Sequence, residues 1–384
     1  MGQSTLDAAA QLGPFIDDQV EEIERRRRLP PALLESLHQA RLFRMLLPRS
    51  AGGDECHPRV YFRAITQLGA HDGSVAWNVF VANSAALIAP FLSAEIAAEV
   101  FSDDRALVSW GPPNGNRAFA VPGGYRVDGE WDFASGCRHA SWMGVHCNVQ
   151  DPDGALRLNQ MGRPLVRTLL FRAGCAELID NWRVLGLRGT ASDGYRLDGL
   201  YVEEAYSTTR EDPDARREPG PLYAFTMQGL YAVGVAGVAI GLARAMLDQL
   251  VALVRRKAPR GLGPMAQSGP VQSKVAQCEA HLSSSVAWLE QVLVEIYDAA
   301  PATGAIGIDE RARLRLACVN AIHRALEVGD VCYRQAGVDA IFSGAALERR
   351  FRDLHTVSQQ IQSRDSHYES VGQVLLGNSP AVFY

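Results

Sequence analysis

The chain has 384 residues, of which 47% are hydrophobic and 21% are charged. These values are ordinary for a globular protein and exclude the disordered and fibrous classes. Because 43 Asp and Glu residues outnumber 38 Lys and Arg residues, the net charge of −5 argues against nucleic acid as the main partner. The 7 cysteines are scattered, without a Cys-x-x-Cys pair, and the first residues lack the basic start and apolar core of a signal peptide. We therefore expect a soluble, cytoplasmic protein with free thiols.

The first part of the chain, residues 1–105, is predicted to form a helical N-terminal domain. Apolar residues recur with a helical period from Ala32 to Leu42 and again from Val60 to Leu68. The stretch from Ser74 to Leu92 is almost wholly apolar. We therefore expect a helix there that is buried on most sides.

The middle part, residues 106–215, has a different texture. Short apolar runs alternate with turn sequences at residues 112–115 (PPNG), 151–154 (DPDG) and 192–194 (SDG). Turn signals at intervals of roughly ten residues are typical of an antiparallel sheet or barrel. We predict a central antiparallel β-barrel for this part.

The last part, residues 216–384, is predicted to form a four-helix bundle. The expected helices cover roughly residues 224–256, 268–298, 309–336 and 345–376. The stretch from Pro221 to Ala243 has no charged residue but contains several glycines, which favours a closely packed core helix over a membrane span. The predicted fold class is α+β, mostly α, with three successive domains.

Common catalytic motifs are missing from the sequence. There is no Gly-x-Gly-x-x-Gly between a strand and a helix, so a nicotinamide-binding unit is not supported. Walker, His-Glu-x-x-His and Gly-x-Ser-x-Gly motifs are also missing, and the 9 histidines show no metal-ligand spacing. We therefore predict no metal site, and generic motifs leave the function open.

Four local stretches carry a family resemblance. They are residues 69–78 (GAHDGSVAWN), 129–142 (GEWDFASGCRHASW), 182–192 (WRVLGLRGTAS) and 349–355 (RRFRDLH), called here the first to fourth motifs. With the three-part texture, they resemble the acyl-CoA dehydrogenase superfamily. The resemblance is closest to its flavin-dependent monooxygenase branch, which includes p-hydroxyphenylacetate hydroxylase, dibenzothiophene monooxygenase and indole-3-acetate monooxygenase types. It extends in order over nearly the whole chain.

This resemblance implies the oxygenase component of a two-component system. A separate flavin reductase would supply reduced flavin, FMNH₂ or FADH₂, which reacts with O₂ to form a C4a-(hydro)peroxyflavin in a site that excludes water. The implied substrate is a small aromatic or heteroaromatic compound, with an indole type slightly ahead of a free phenol. The implied assembly is a homotetramer, with the flavin between the barrel and the C-terminal bundle.

The second motif contains the residues that the resemblance assigns to the flavin ring. Ser135 is the expected catalytic residue, because its hydroxyl could be offered to flavin N5. Ala134 and Gly136 would let the ring approach the backbone, and Phe133 completes this cofactor-binding segment. The alternative is that Ser135 and Gly136 simply form a β-turn.

Four further residues complete the implied cofactor site. Thr190 and Ser192 offer short hydroxyls for the ribityl or phosphate edge, although turn chemistry would also explain them. Trp182 could pack against the isoalloxazine ring or belong to the core. Arg260 could reach the flavin phosphates of a neighbouring subunit, or the basic residues near it could simply compensate a helix dipole.

The departures from the family pattern concern proton transfer. Ile361 stands where many acyl-CoA dehydrogenases have a catalytic glutamate, which disfavours ordinary acyl-CoA dehydrogenation. Gln360 stands where phenol-hydroxylating members have a histidine, and a second such histidine falls near Asn83 or Ser84. Because a neutral amide cannot help to deprotonate a phenol, we expect Gln360 and Asn83 to hold a polar group of the substrate instead.

The resemblance also places Ser109 and Trp110 in the substrate pocket. His139 and His355 lie inside motifs, where structural roles are favoured over roles as bases. Two other functions stay open. One is an FAD-bound, acyl-CoA-dehydrogenase-like dehydrogenase or oxidase, and the other is a non-catalytic scaffold that retains the fold.

Overall fold

The N-terminal part of the protein is helical. The computed structural model describes residues 2–159, 162–209, 212–300 and 304–380. The first helices are α1 (Gly2–Arg26), α2 (Pro31–Gln39), α3 (Pro58–His71), α4 (Gly73–Ala86) and α5 (Ala94–Phe101). Asp72 caps α4 by accepting hydrogen bonds from the backbone N–H groups of Ser74 and Val75. Every residue of α4 except Ala82 is buried, which confirms the expected core helix.

The middle part forms one mixed sheet of eight strands. They are β1 (Val108–Trp110), β2 (Arg117–Val121), β3 (Gly124–Trp131), β4 (Trp142–Gln150), β5 (Val166–Arg172), β6 (Glu177–Ile179), β7 (Gly194–Glu203) and β8 (Ser207–Thr208). The order is β6-β7-β3-β2-β4-β5-β8, and β1 pairs with β4.

The sheet departs from the predicted antiparallel barrel in two ways. Strands β1 and β2 both run parallel to β4. Strand β1 pairs with the first part of β4, and β2 pairs with its last part. In the part of the chain that the structure describes, no ladder joins the end strands β6 and β8, so the sheet is open. The expected β texture is confirmed, but the sheet is mixed and the barrel is not confirmed.

The C-terminal part is helical again. Its helices are α6 (Met227–Arg256), α7 (Gly269–Ala299), α8 (Ile308–Ala336), α9 (Ala346–Val357) and α10 (Ser366–Leu375). The first three match the predicted spans, but the single helix predicted over 345–376 is wrong. Helix α9 ends at Val357, and the backbone is extended at Gln360, whose side chain accepts a hydrogen bond from Gln362 N.

Helix α6 lies at the centre of the main core and packs against α3, α4, α8 and α9. Its glycines permit this closeness, since a Cβ at Gly241 would lie 2.4 Å from the carbonyl oxygen of Thr66. Two helical segments, Gly73–Phe91 and Met227–Arg256, are long and apolar enough to cross a membrane. Their most apolar windows are 94% and 89% buried inside the protein, so core packing accounts for their composition.

Candidate active site

Hydrogen bonds bring the four sequence motifs together at one place. Helix α4 supplies Trp77 from the first motif, and the connection between β3 and β4 supplies Ser135 from the second. The connection between β6 and β7 supplies residues 187–192 of the third motif, and α9 supplies Asp353 of the fourth. The site therefore joins the N-terminal helices, the sheet and the C-terminal helices.

Ser135 is the meeting point of the first two motifs. The indole Nε1 of Trp77 donates a hydrogen bond to Ser135 Oγ over 3.0 Å. Ser135 Oγ also lies 2.7 Å from Ser192 Oγ. Ser109 Oγ donates a hydrogen bond to the backbone carbonyl of Ser135 over 2.8 Å. Ser135 keeps about 8% exposure, so it is the part of this hydrogen-bond network that lies nearest the protein surface.

The network continues inward as a row of three hydroxyl groups, those of Ser135, Ser192 and Thr190, called here the hydroxyl row. Ser192 Oγ lies 2.7 Å from Thr190 Oγ1, which donates to the carbonyl oxygen of Leu187 over 2.9 Å. Thr190 has no exposed surface and Ser192 only 3%. Both residues are thus buried more deeply than Ser135, and their contact with a ribityl or phosphate edge stays a prediction.

The far end of the hydroxyl row is anchored to a buried acidic pair. Leu187 N donates to Asp353 Oδ1 over 2.6 Å. Asp353 and Asp72 are both almost completely buried, and Arg349 lies 3.8 Å from Asp72. Burial, reinforced by the charge of Asp72, raises the pKa of Asp353 to about 7. Burial therefore favours the protonated form of Asp353 over a pH range in which an ordinary aspartate is ionised.

The backbone around the hydroxyl row adopts several left-handed conformations. Phe133, Leu187 and Ala191 have φ values of 62°, 53° and 46°. Such strain at non-glycine residues is concentrated at functional sites in proteins. The ring of Phe133 points outward. It is 61% exposed and meets the ring of Trp182 edge to face at 6.1 Å. An exposed Phe133 ring and a partly buried Trp182 thus lie next to the hydroxyl row.

Gly136 marks a close approach beside Ser135. Its φ is 78°, and a Cβ there would lie 3.0 Å from His139 Nε2 and 3.3 Å from Asn78 Oδ1. The Asn78 amide nitrogen donates to the carbonyls of Ser74 and Gly189, while its buried Oδ1 has no hydrogen-bond partner among the residues that the structure describes. Burial lowers the pKa of His139 to about 4, so the imidazole is neutral.

Aromatic side chains lead from Ser135 into the helical side of the site. Trp77 meets Phe80 edge to face at 4.8 Å, and Phe80 meets Tyr231 in the same way at 5.0 Å. Burial raises the pKa of Tyr231, and Gln360 lies within reach of its hydroxyl. These three rings, the aromatic row, connect Ser135 with the predicted substrate residue Gln360.

Asn83 does not join this site. Its amide nitrogen donates to the carbonyls of Leu42 and Val79, and its Oδ1 accepts from Leu46 N. The side chain is fully buried and holds a neighbouring segment of backbone. This corrects the expected substrate contact of Asn83, because its amide has no donor left for a ligand. The adjacent Ser84 is buried close to the phenol of Tyr61.

The other predicted residues are more scattered. Trp110 is only partly buried and meets His146 edge to face at 5.0 Å. Arg260 is exposed in the connection between α6 and α7, outside the network. Ile361 is half exposed, and His355 bonds Asp330 at 3.0 Å.

Sequence reasoning did not assign functions to Trp77, Leu187, Asp353 or Tyr231. The first three lie inside the quoted motifs, so position within a motif was the available signal. Tyr231 lies in the uncharged helix α6, where composition indicates only a core. Its place beside Gln360 depends on tertiary packing.

Comparisons with known proteins agree with this architecture. Residues 233–364 match the family model described as acyl-CoA dehydrogenase, C-terminal domain. The indole-3-acetate monooxygenase of Pseudomonas putida is 27% identical over 370 residues, which cover 94% of this chain and 91% of that protein. The oxygenase subunit HsaA of a flavin-dependent monooxygenase from Rhodococcus jostii (strain RHA1) is also 27% identical, covering 91% of both chains.

Solved structures show the same fold over the whole chain. XiaF from Streptomyces sp., in complex with FADH2 and glycerol, has a TM-score of 0.91 at 23% identity and covers 100% of this chain and 97% of its own. TdsC from Paenibacillus sp. A11-2, with FMN and indole, has a TM-score of 0.81 at 19% identity and covers 97% of both chains. These comparisons confirm the resemblance that the four motifs indicate.

Proposed function

We propose that this chain, whose residues 233–364 match the acyl-CoA dehydrogenase C-terminal domain model, is the oxygenase component of a two-component flavin-dependent monooxygenase. The observation that carries the proposal is the convergence of all four motifs on Ser135 and the hydroxyl row. Relatives over nearly the full length are named as monooxygenases that include a flavin-dependent oxygenase subunit. The substrate class is a small aromatic or heteroaromatic compound.

The residues around Ser135 fit a flavin. A flat, mostly apolar ring with polar edges needs an exposed apolar wall beside hydrogen-bonding groups, and Phe133 and Trp182 stand next to Ser135 in this way. The Oδ1 of Asn78, for which the described residues provide no hydrogen-bond partner, offers a second acceptor beside Gly136. When bound, reduced flavin supplies the activation of O₂. Ser135 would then face N5, with Ala134 and Gly136 under the ring.

The aromatic row is the proposed wall of the substrate pocket. Trp77, Phe80 and Tyr231 present ring edges and faces that suit an aromatic substrate. Gln360 supplies an amide at the far end, which can accept from an indole N–H or donate to a carbonyl. The related structure of TdsC holds indole, which supports an indole-type substrate over a free phenol. Ser109 supports Ser135 from below.

Assembly and organisation follow as part of the proposal. We place domains at 1–105, 106–215 and 216–384, with the open mixed sheet in the middle one, and a homotetramer in the cytoplasm. Several exposed apolar side chains support subunit contacts, namely Leu262, Val338, Ile341, Phe342 and Leu376. Arg260 would serve the flavin of a neighbouring subunit. Light scattering that finds a stable monomer at micromolar concentration would argue against both the tetramer and this role.

The function can be tested with reduced flavin supplied by a separate reductase. Protein, indole and ¹⁸O₂ are mixed, and the product is analysed by mass spectrometry. Incorporation of one ¹⁸O atom supports the proposal. Oxidation of a substrate without ¹⁸O, by protein that purifies with bound FAD, would identify a dehydrogenase or oxidase. Failure to bind FMN or FAD in either redox state would leave a scaffold.

A further inference from the structure

The direction of hydrogen-bond donation along the hydroxyl row, called here its polarity, is fixed by the groups at its two ends. It makes four successive contacts, from Trp77 to Ser135, Ser192, Thr190 and the Leu187 carbonyl. An indole N–H can only donate and a carbonyl oxygen can only accept. Between these ends each hydroxyl has one proton, so four protons serve four contacts.

Only one arrangement of those protons satisfies every contact. Thr190 must donate to the Leu187 carbonyl, so Ser192 must donate to Thr190. Ser135 must then donate to Ser192 while it accepts from Trp77. The proton of Ser135 is therefore committed, and one of its two lone pairs is used. What Ser135 can offer a ligand is its second lone pair, which makes it an acceptor.

The surroundings hold this polarity in place. The Leu187 carbonyl also accepts from Trp182 Nε1 over 3.1 Å, and Leu187 N is held by Asp353. Thr190 is fully buried, so water cannot replace a lost partner. Reversing the row would leave the contact between Thr190 and Leu187 without a proton, which is costly at a dry position.

We propose that Thr190 is the positioning residue that makes this site prefer reduced over oxidised flavin. The inference rests on the proposed function, in which Ser135 faces N5. Reduced flavin carries a hydrogen at N5 and can donate to the free lone pair of Ser135. Oxidised flavin has only an acceptor there, so the two groups mismatch. This reverses the expectation from the sequence that Ser135 gives its own proton to N5.

Thr190→Val tests the proposal, because valine keeps the shape but removes the hydroxyl. Ser192 then has no acceptor at its inner side, so its proton turns to Ser135 and frees the Ser135 proton for oxidised N5. Dissociation constants are measured for FMN and FAD, oxidised and anaerobically reduced. The ratio of the oxidised to the reduced constant should fall by roughly tenfold or more relative to the wild type. A tenfold change equals about 30 mV of lower midpoint potential for the bound flavin.

Two further variants separate polarity from folding. Thr190→Ser keeps the hydroxyl, and its ratio should stay at the wild-type value. Ser192→Ala removes the acceptor of the Ser135 proton by a change at another residue, so the ratio should fall by about five- to tenfold even if Thr190→Val fails to fold. The melting temperature of each flavin-free variant checks its structure.

The outcomes are distinguishable. Flavin binding with ratios unchanged in both Thr190→Val and Ser192→Ala overturns the role of Thr190 but leaves the proposed function standing. Equal losses of both redox forms in these variants also overturn it, because they indicate a merely structural role. A wild-type protein that binds neither FMN nor FAD overturns the proposed function, and the inference with it.

Discussion

The two sides of the candidate site differ in how their polar groups are used. On the sheet side, the hydroxyl row is buried and every proton has an acceptor. On the helical side, the aromatic row makes edge-to-face contacts and has few polar groups, chiefly the phenol of Tyr231 and the amide of Gln360.

This difference indicates a division of labour. A saturated hydrogen-bond network tolerates few arrangements, so the sheet side suits a group whose chemistry must be the same in each turnover. Aromatic surfaces accept many flat ligands, and selectivity then depends on one or two polar groups. Trp77 belongs to both sides, because its ring starts the aromatic row and its N–H starts the hydroxyl row.

The largest effect is expected from destabilising helix α4, which carries Trp77 and so joins the two sides. Asp72→Ala removes the N-cap of α4 and leaves Arg349 without its buried partner. We expect a loss of about 3 kcal/mol or more in the free energy of unfolding. Urea denaturation measures it, and Asp72→Asn, which can still cap the helix, should lose clearly less. Equal losses in the two variants would show that the cap contributes nothing.

A change confined to the sheet side should uncouple the reaction without unfolding the protein. Ser135→Ala removes one hydroxyl, at a cost on the order of 1 kcal/mol and more in a dry site. Product formed per flavin oxidised should fall, and hydrogen peroxide should rise, by roughly tenfold. Ser141→Ala is the matched control, because it removes a hydroxyl of the same connection that bonds the backbone of Leu107 instead. Wild-type peroxide leakage in Ser135→Ala would refute the assignment of Ser135.

The sheet side also shows what sequence patterns could and could not predict. Composition identified α4 and α6 as buried, since an apolar run without a polar face has few other places to go. The motifs also identified the segment of Ser135, which contacts residues of the first and third motifs. The burial of Thr190 and Ser192 was not predictable, because the sequence is the same whether their hydroxyls face a ligand or a backbone carbonyl. The pairing of β1 and β2 with one strand likewise depends on contacts distant in sequence.

On the helical side we expect a smaller effect that depends on the substrate. Gln360→Met keeps the length of the side chain but removes its polar atoms, including the oxygen that accepts from Gln362 N. For indole, KM should rise about three- to tenfold while kcat changes little, since a neutral hydrogen bond contributes about 1 kcal/mol. Gln359→Met, at an exposed neighbouring position, is the control. An unchanged KM would exclude Gln360 from the pocket.

The smallest effect concerns the anchor behind the hydroxyl row and depends on pH. Because the pKa of Asp353 is raised to about 7 from its usual 3.8, the folded state binds this proton more tightly than the unfolded state. Its contribution to stability is therefore complete below about pH 4 and is lost as the pH rises through 7. Between pH 6 and 8 the wild type should lose on the order of 1 kcal/mol relative to Asp353→Asn, which cannot ionise but can still accept from Leu187 N. Thermal unfolding of both proteins across this range measures the difference, with the exposed Asp198→Asn as the control. Parallel stability curves for the wild type and Asp353→Asn would mean that Asp353 is charged throughout this range, and that Leu187 N is held by a carboxylate and not by a protonated carboxyl group.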